Sequence, residues 1–134
     1  MLAHMGVLDL PPCRKCGNRS ALVRYFAVGS ADSLSSLWDM KEMLCIRTFT
    51  NLQWPVRTVS FNYTGEYIAS GSEDAYVDIS DIQTGRSVYQ IPCKAPMNSV
   101  EWNPKYNLLA YAGDDKNKYQ ADEGTFRIFG FESA

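Results

Sequence analysis

Histidine is nearly missing from these 134 residues, and the single one, His4, lies outside the patterned part of the chain. That leaves no Ser-His-Asp or Cys-His arrangement and no metal cluster built on imidazole. Glycine-rich phosphate loops of the GxxxxGK[ST] or GxGxxG kind are absent as well. An excess of positive charge is lacking: 13 Lys and Arg face 15 Asp and Glu, for a net charge of −2. Binding of nucleic acid by this chain alone is therefore disfavoured, because such binding rests on a clustered positive field. No apolar run approaches the roughly 20 residues needed to span a bilayer. The short apolar stretch at the N-terminus runs into Pro11-Pro12, Arg14 and Lys15, so no signal peptide is expected. Four cysteines (Cys13, Cys16, Cys45, Cys93) read as reduced thiols. The sequons at Asn18 and Asn62 read as chance matches. No catalytic residue, cofactor, metal or small-molecule substrate is expected.

Apolar spacing of 3.6 never persists for more than two turns, and helices are not expected. What the chain has instead is alternation of apolar and polar residues, with aromatics at 13%. This pattern predicts strands over 24–29, 34–38, 43–49, 56–61, 67–72, 75–80, 86–91, 98–102, 107–111 and 125–129. Gly, Asp, Asn and Pro stand at the breaks, which marks an antiparallel all-β fold. Residues 1–22 show no alternation and read as a divergent or disordered lead-in, with a short extended piece over 7–10.

The strands carry a repeat. Gly29-Ser30-Ala31-Asp32 returns 42 residues later as Gly71-Ser72-Glu73-Asp74, and weakly 41 further on as Ala112-Gly113-Asp114-Asp115. Asp39 and Asp81, also 42 apart, close the strands that follow the first two copies. A period of about 40–45 residues with a small-residue turn and a Trp-Asp ending resembles the WD40 propeller blade, which has four strands named a to d from the centre outward. Read this way, residues 23–134 are a partial propeller of about three blades. Residues 56–91 make a complete blade; 24–49 supply strands b, c and d; 98–130 supply a, b and c. The chain is thus expected to be the C-terminal part of a longer protein, or a shortened product of the same gene, with a natural end and a start cut inside a blade.

The four repeating carboxylates, Asp32, Asp39, Asp74 and Asp81, are expected to hold turns and not to catalyse, since a single active site does not need residues at repeat spacing. The histidine usual in the turns of this fold is missing. Trp54-Pro55-Val56-Arg57 leads into strand a of the complete blade. Packing is the simpler reading of Trp54, but Trp54 and Arg57 are also candidate partner contacts. So are Asp114, Asp115 and Lys116, which open a charged insertion over 114–123 that is too long for a tight hairpin. Cys13-x-x-Cys16 resembles half of a zinc knuckle, but zinc needs four ligands and only Cys45, Cys93 and His4 remain.

The segments GSADSLSSLWD (29–39), WPVRTVSF (54–61), GEYIASGSEDAYVDISDIQTG (65–85), WNPKYNLLAYAGDDK (102–116) and GTFRIFG (124–130) resemble the C-terminal blades of the THO complex subunit three family. The likeness runs from about residue 25 to 131. It implies a non-catalytic WD40 scaffold in the nucleus, holding other subunits of the THO or transcription-export complex. The implied process is mRNA processing, splicing and export, with RNA contact only through the assembly. The alternatives are a WD40 scaffold of another nuclear (chromatin) assembly, or a small zinc-dependent nucleic-acid binder.

Overall fold

The computed structural model describes residues 4–10, 23–115 and 123–131. Among them are eleven strands, no helix, and three antiparallel sheets. The first sheet joins β1 (His4–Leu10), β2 (Val23–Gly29), β3 (Ser35–Asp39) and β4 (Leu44–Phe49) in chain order. The second joins β5 (Val56–Phe61), β6 (Tyr67–Ser72), β7 (Tyr76–Asp81) and β8 (Ser87–Pro92) in the same way. The third joins β9 (Met97–Trp102), β10 (Leu108–Asp115) and β11 (Glu123–Gly130). Each sheet is a meander whose neighbours in sequence are neighbours in space, which is the blade of a β-propeller.

Two sequence expectations need correcting. The lead-in is not loop throughout: β1 starts at His4 and pairs along its length with β2, from His4↔Gly29 to Leu10↔Val23. The first blade thus has four strands, not three. Without β1 the inner edge of β2 would expose a row of unpaired backbone groups, so a weakly alternating segment suffices where an open ladder waits. Cys13 and Cys16 lie outside the described residues. The second correction concerns the charged insertion. β10 and β11 run past their expected ends, and Asp114↔Gly124 and Asp115↔Glu123 continue the ladder. Both flanks of the insertion are therefore strand; Lys116 lies outside the described residues.

Burial follows position in the stack. The middle strands of the second blade are covered from both sides and lose the alternation of a half-exposed sheet; β6 and β7 are buried almost end to end. The outer strands β4 and β8 are mostly exposed. Successive side chains of a strand point to opposite faces. Ile68 accordingly joins Ala27, Leu37 and Phe49 of the first blade, while its neighbour Ala69 joins Val77, Ile79, Val100, Trp102 and Leu109 against the third. Burying a side chain such as Ile79 or Leu109 contributes about 2–3 kcal/mol. Gly29 of the first tetrad is small for a steric reason. A Cβ there would lie 2.6 Å from Val56 Cγ1, in the inner strand of the next blade.

Direct bonds knit the blades. Ser60, on β5, accepts from the Trp102 backbone amide through its hydroxyl and from the Trp102 indole through its carbonyl at 3.1 Å. Asn62 donates to the Asn107 side chain at 3.0 Å. Phe131 meets the rings of Tyr67, Tyr89, Trp102 and Phe129. On the other side, Arg47 of β4 donates to the carbonyls of Gln83 and Thr84.

Candidate functional site

The four turn aspartates fall into two pairs that do the same thing in successive blades. Asp39 accepts from the amides of Lys41 and Glu42 at 2.8 and 2.9 Å. Asp81 accepts from Gln83 and Thr84 at the same two distances. In both turns the fifth residue closes back, Met43 to the Asp39 carbonyl and Gly85 to the Asp81 carbonyl. Both of those residues have positive φ, 53° and 74°. The side-chain oxygen thus caps a tight turn that the backbone alone would leave with unpaired amides.

Asp32 and Asp74 are less alike. Asp32 is exposed and receives one amide, from Leu34 at 3.2 Å. Asp74 is buried. Its Oδ2 accepts from the Ser72 hydroxyl at 2.6 Å and from the amides of Trp54 and Gln53 at 3.1 and 3.2 Å. It therefore fixes the segment that leads into β5. Trp54, pinned by its own amide, is 55% exposed. The expectation that Trp54 packs is corrected: its backbone is anchored and its ring faces outward. Pro55 follows directly, and the pyrrolidine constrains the backbone of Trp54 as well.

Arg57 stands three residues on, at the same end of β5. Its guanidinium forks between a salt bridge to Glu73 and a 2.7 Å bond to the Asn98 side-chain oxygen. One cation so ties the b–c turn of the second blade to the start of the third. The lead into β5 and its first residues thus carry an exposed aromatic, Trp54, and a charge, Arg57, held by Glu73 and Asn98. Asp114 and Asp115 are on β10 of the next blade, paired with Gly124 and Glu123, and belong to a different hairpin.

A further polar cluster was not foreseen. Asp78, 2% exposed, accepts from the hydroxyls of Ser80 and Ser87, each at 2.5 Å, and from the Asn51 amide at 3.5 Å. Asn51 also donates to the Ser80 oxygen at 2.9 Å, and its carbonyl accepts from the Tyr76 hydroxyl at 2.7 Å. Ser80 occupies the position 42 residues after Trp38, and Asp78 the position 42 after Ser36. In the first blade Trp38 donates its indole N–H to the Ser36 hydroxyl at 2.8 Å. The second blade has exchanged an indole–hydroxyl pair for a carboxylate ringed by neutral donors. Burial, then the nearby Asp74 and Asp78, raise the Tyr76 hydroxyl above the ordinary tyrosine pKa, so it stays a donor. Departure from the repeat was the available signal: a Ser where the first blade has Trp.

Cys45 lies on the exposed β4 and Cys93 follows β8 in another sheet. Among the described residues no three or more of His, Cys, Asp and Glu are grouped to hold a metal.

The WD40-domain model of anaphase-promoting complex subunit 4 matches residues 34–105, more than half of the chain. The chain belongs to this WD40 family. Such propellers are typically non-catalytic scaffolds. THO complex subunit 3 of Arabidopsis thaliana is 78% identical over 112 residues, which cover 83% of this chain and 36% of that protein. WD repeat-containing protein AAC3 of Dictyostelium discoideum is 38% identical over 112 residues, 82% of this chain and 22% of its own length. The chain thus spans about a third or less of these relatives. The β-propeller domain of Myceliophteria thermophila Cps50 (Swd1) superposes with a TM-score of 0.61 at 20% identity, covering 78% of this WD40 chain and 35% of that domain. That likeness shows the fold: a partial WD40 propeller.

Proposed function

We propose that this WD40 chain works as a non-catalytic scaffold of a THO-type complex in the nucleus, where it acts in mRNA processing and mRNA export. The observation that carries the reading is the 78% identity to THO complex subunit 3 over 112 residues, 83% of this chain. Its mechanism is presentation of a rigid surface to other subunits of the complex; RNA is met through the assembly and not by this chain alone. Trp54 and Arg57 are the first contacts to test, because one is an anchored, outward aromatic and the other a charge held by two partners. Buried aromatic and Arg anchors carry a disproportionate share of interface energy. Asp114 and Asp115 on β10, together with Lys116, which lies outside the described residues, are the second set of contacts to test.

The test is affinity purification of the tagged full-length protein from nuclear extract. Recovery of the large THO subunits is the expected result, and recovery without any of them would overturn the reading. The Trp54→Ala, Arg57→Ala double variant should lose those subunits while keeping its β-sheet circular dichroism spectrum.

A further inference from the structure

The connection from β8 to β9 and the hairpin of β10 and β11 enclose a cleft of about 390 Å³. Cys93 and Lys94 line one wall; Tyr111 and Arg127 line the other; Met97 forms part of the floor. Tyr111 and Arg127 are cross-strand partners, so their side chains leave the sheet on the same face. That is the face Leu109 and Phe129 turn toward the second blade. Lys94 and Arg127 are exposed, whereas Met97 and Tyr111 are buried. The only ion pair among the described residues is Arg57–Glu73, and no carboxylate is among the described residues that line the cleft. The Arg127 charge is felt at both Cys93 and Tyr111, where it opposes the upward pull of burial on their pKa values.

Two cations, a hydroxyl donor and an apolar floor thus converge in one socket, with no carboxylate among its described lining residues. We propose that this cleft binds a side-chain carboxylate from an acidic peptide segment of a partner protein, with Arg127 gripping the carboxylate, Lys94 adding charge and Tyr111 donating its hydroxyl. A guanidinium fork matches a carboxylate's two oxygens, and its hold strengthens where one wall is apolar. A peptide fits the site better than a nucleic acid. Strands of RNA or DNA need a track of cations along successive phosphates, and two cations in one cleft on a chain of net charge −2 do not make one. Neither Trp54 nor Arg57 is among the residues that line the cleft, so substitutions at one site test it without removing the other.

The experiment uses the whole purified chain and a fluorescein-labelled peptide of alternating Asp, Glu and Leu, read by fluorescence anisotropy. Its controls are the same peptide with Asn and Gln in place of the acids, and a labelled ten-nucleotide oligouridylate. Saturable binding of the acidic peptide, weakened at least tenfold by Arg127→Glu and severalfold by Lys94→Glu, is expected. Equal binding of the amide peptide, tighter binding of the oligouridylate, or indifference to both charge reversals would overturn the proposal. A second measurement does not depend on variants that fold. The acidic peptide should slow iodoacetamide labelling of Cys93, followed by mass spectrometry, and leave Cys45 unchanged. Unaltered labelling of Cys93 at saturating peptide would refute the placement.

Discussion

Replacing Asp74 by Ala tests the claim that equivalent tetrad positions differ in energetic weight. Asp74 accepts three hydrogen bonds at 2.6–3.2 Å in a buried setting, two of them from the amides of Gln53 and Trp54. The Ser72 hydroxyl can rotate toward another acceptor once the carboxylate is gone; the two amides cannot move without the chain. A hydrogen bond to a charged group contributes about 1.5 kcal/mol at the low end, which makes the loss about 3 kcal/mol. Asp32, with one bond at 3.2 Å in an exposed turn, should cost about 0.5 kcal/mol on the same substitution. For a domain stable by about 5–15 kcal/mol the first change removes a large share and the second almost none. Urea unfolding followed by circular dichroism measures both. With a slope of about 2 kcal/mol per molar, Asp74→Ala should lower the midpoint by about 1.5 M. Asp74→Asn keeps one acceptor oxygen and should fall between. If Asp74→Ala and Asp32→Ala shift the midpoint equally, the assignment of Asp74 as the anchor of the β5 approach is wrong.

Met43 takes the positive φ that Gly85 takes one repeat later, at 62% exposure and with little packing to lose. Met43→Gly should therefore raise stability by about 0.5–1 kcal/mol, seen as a higher melting temperature. Gly85→Ala should lower it, since the new Cβ would also stand 2.9 Å from Arg47 Nη1. Phe131→Ala empties the centre of the ring cluster between the second and third blades and should cost about 3 kcal/mol in the same urea assay. Burial raises the pKa of Tyr25, Tyr67, Tyr76 and Tyr111. The folded state then holds these protons more tightly than the unfolded chain does. The stability they contribute is complete below the unfolded tyrosine pKa of about 10 and is lost as pH rises through the higher folded values, so the urea midpoint should fall above about pH 10. Burial likewise raises the Cys93 thiol, ahead of the opposing pull of the Val77 backbone and Arg127, so without peptide it should alkylate more slowly than the exposed Cys45 at pH 8.

The strand order was legible because a two-residue alternation between turn residues leaves few other folds, and the 42-residue step placed each turn. Asp39 and Asp81 could be read as turn caps for the same reason: a capping carboxylate acts on amides two and three residues away, within reach of sequence spacing. Three things were not legible, each because it depends on what lies beside a strand. His4–Leu10 carries no marked alternation, and its strand forms because β2 offers an open ladder. Trp54 looks like a core residue by type, but Asp74 and Pro55 aim it outward. The cleft draws on residues 92–95, Met97, Tyr111 and Arg127, positions that no local pattern connects. Asp78 lies between these cases. The sequence shows Ser80 in place of Trp, but the compensating donors come from Asn51 and Ser87 on other elements.

The bonds between blades are unevenly shared, and this predicts how the molecule comes apart. Ser60 to Trp102, Asn62 to Asn107, Thr58 to the Val100 amide and the Phe131 rings all fasten the second blade to the third. The first blade is fastened through Ser30 to Val56, the Arg47 reach to Gln83 and Thr84, and a smaller apolar contact around Ile68. Structures built by stacking fail at their weakest neighbour interface. Deuterium should therefore enter the amides of β2 and β3 well before those of β6, β7 and β9, with the first blade peeling away as a unit while the other two stay zipped.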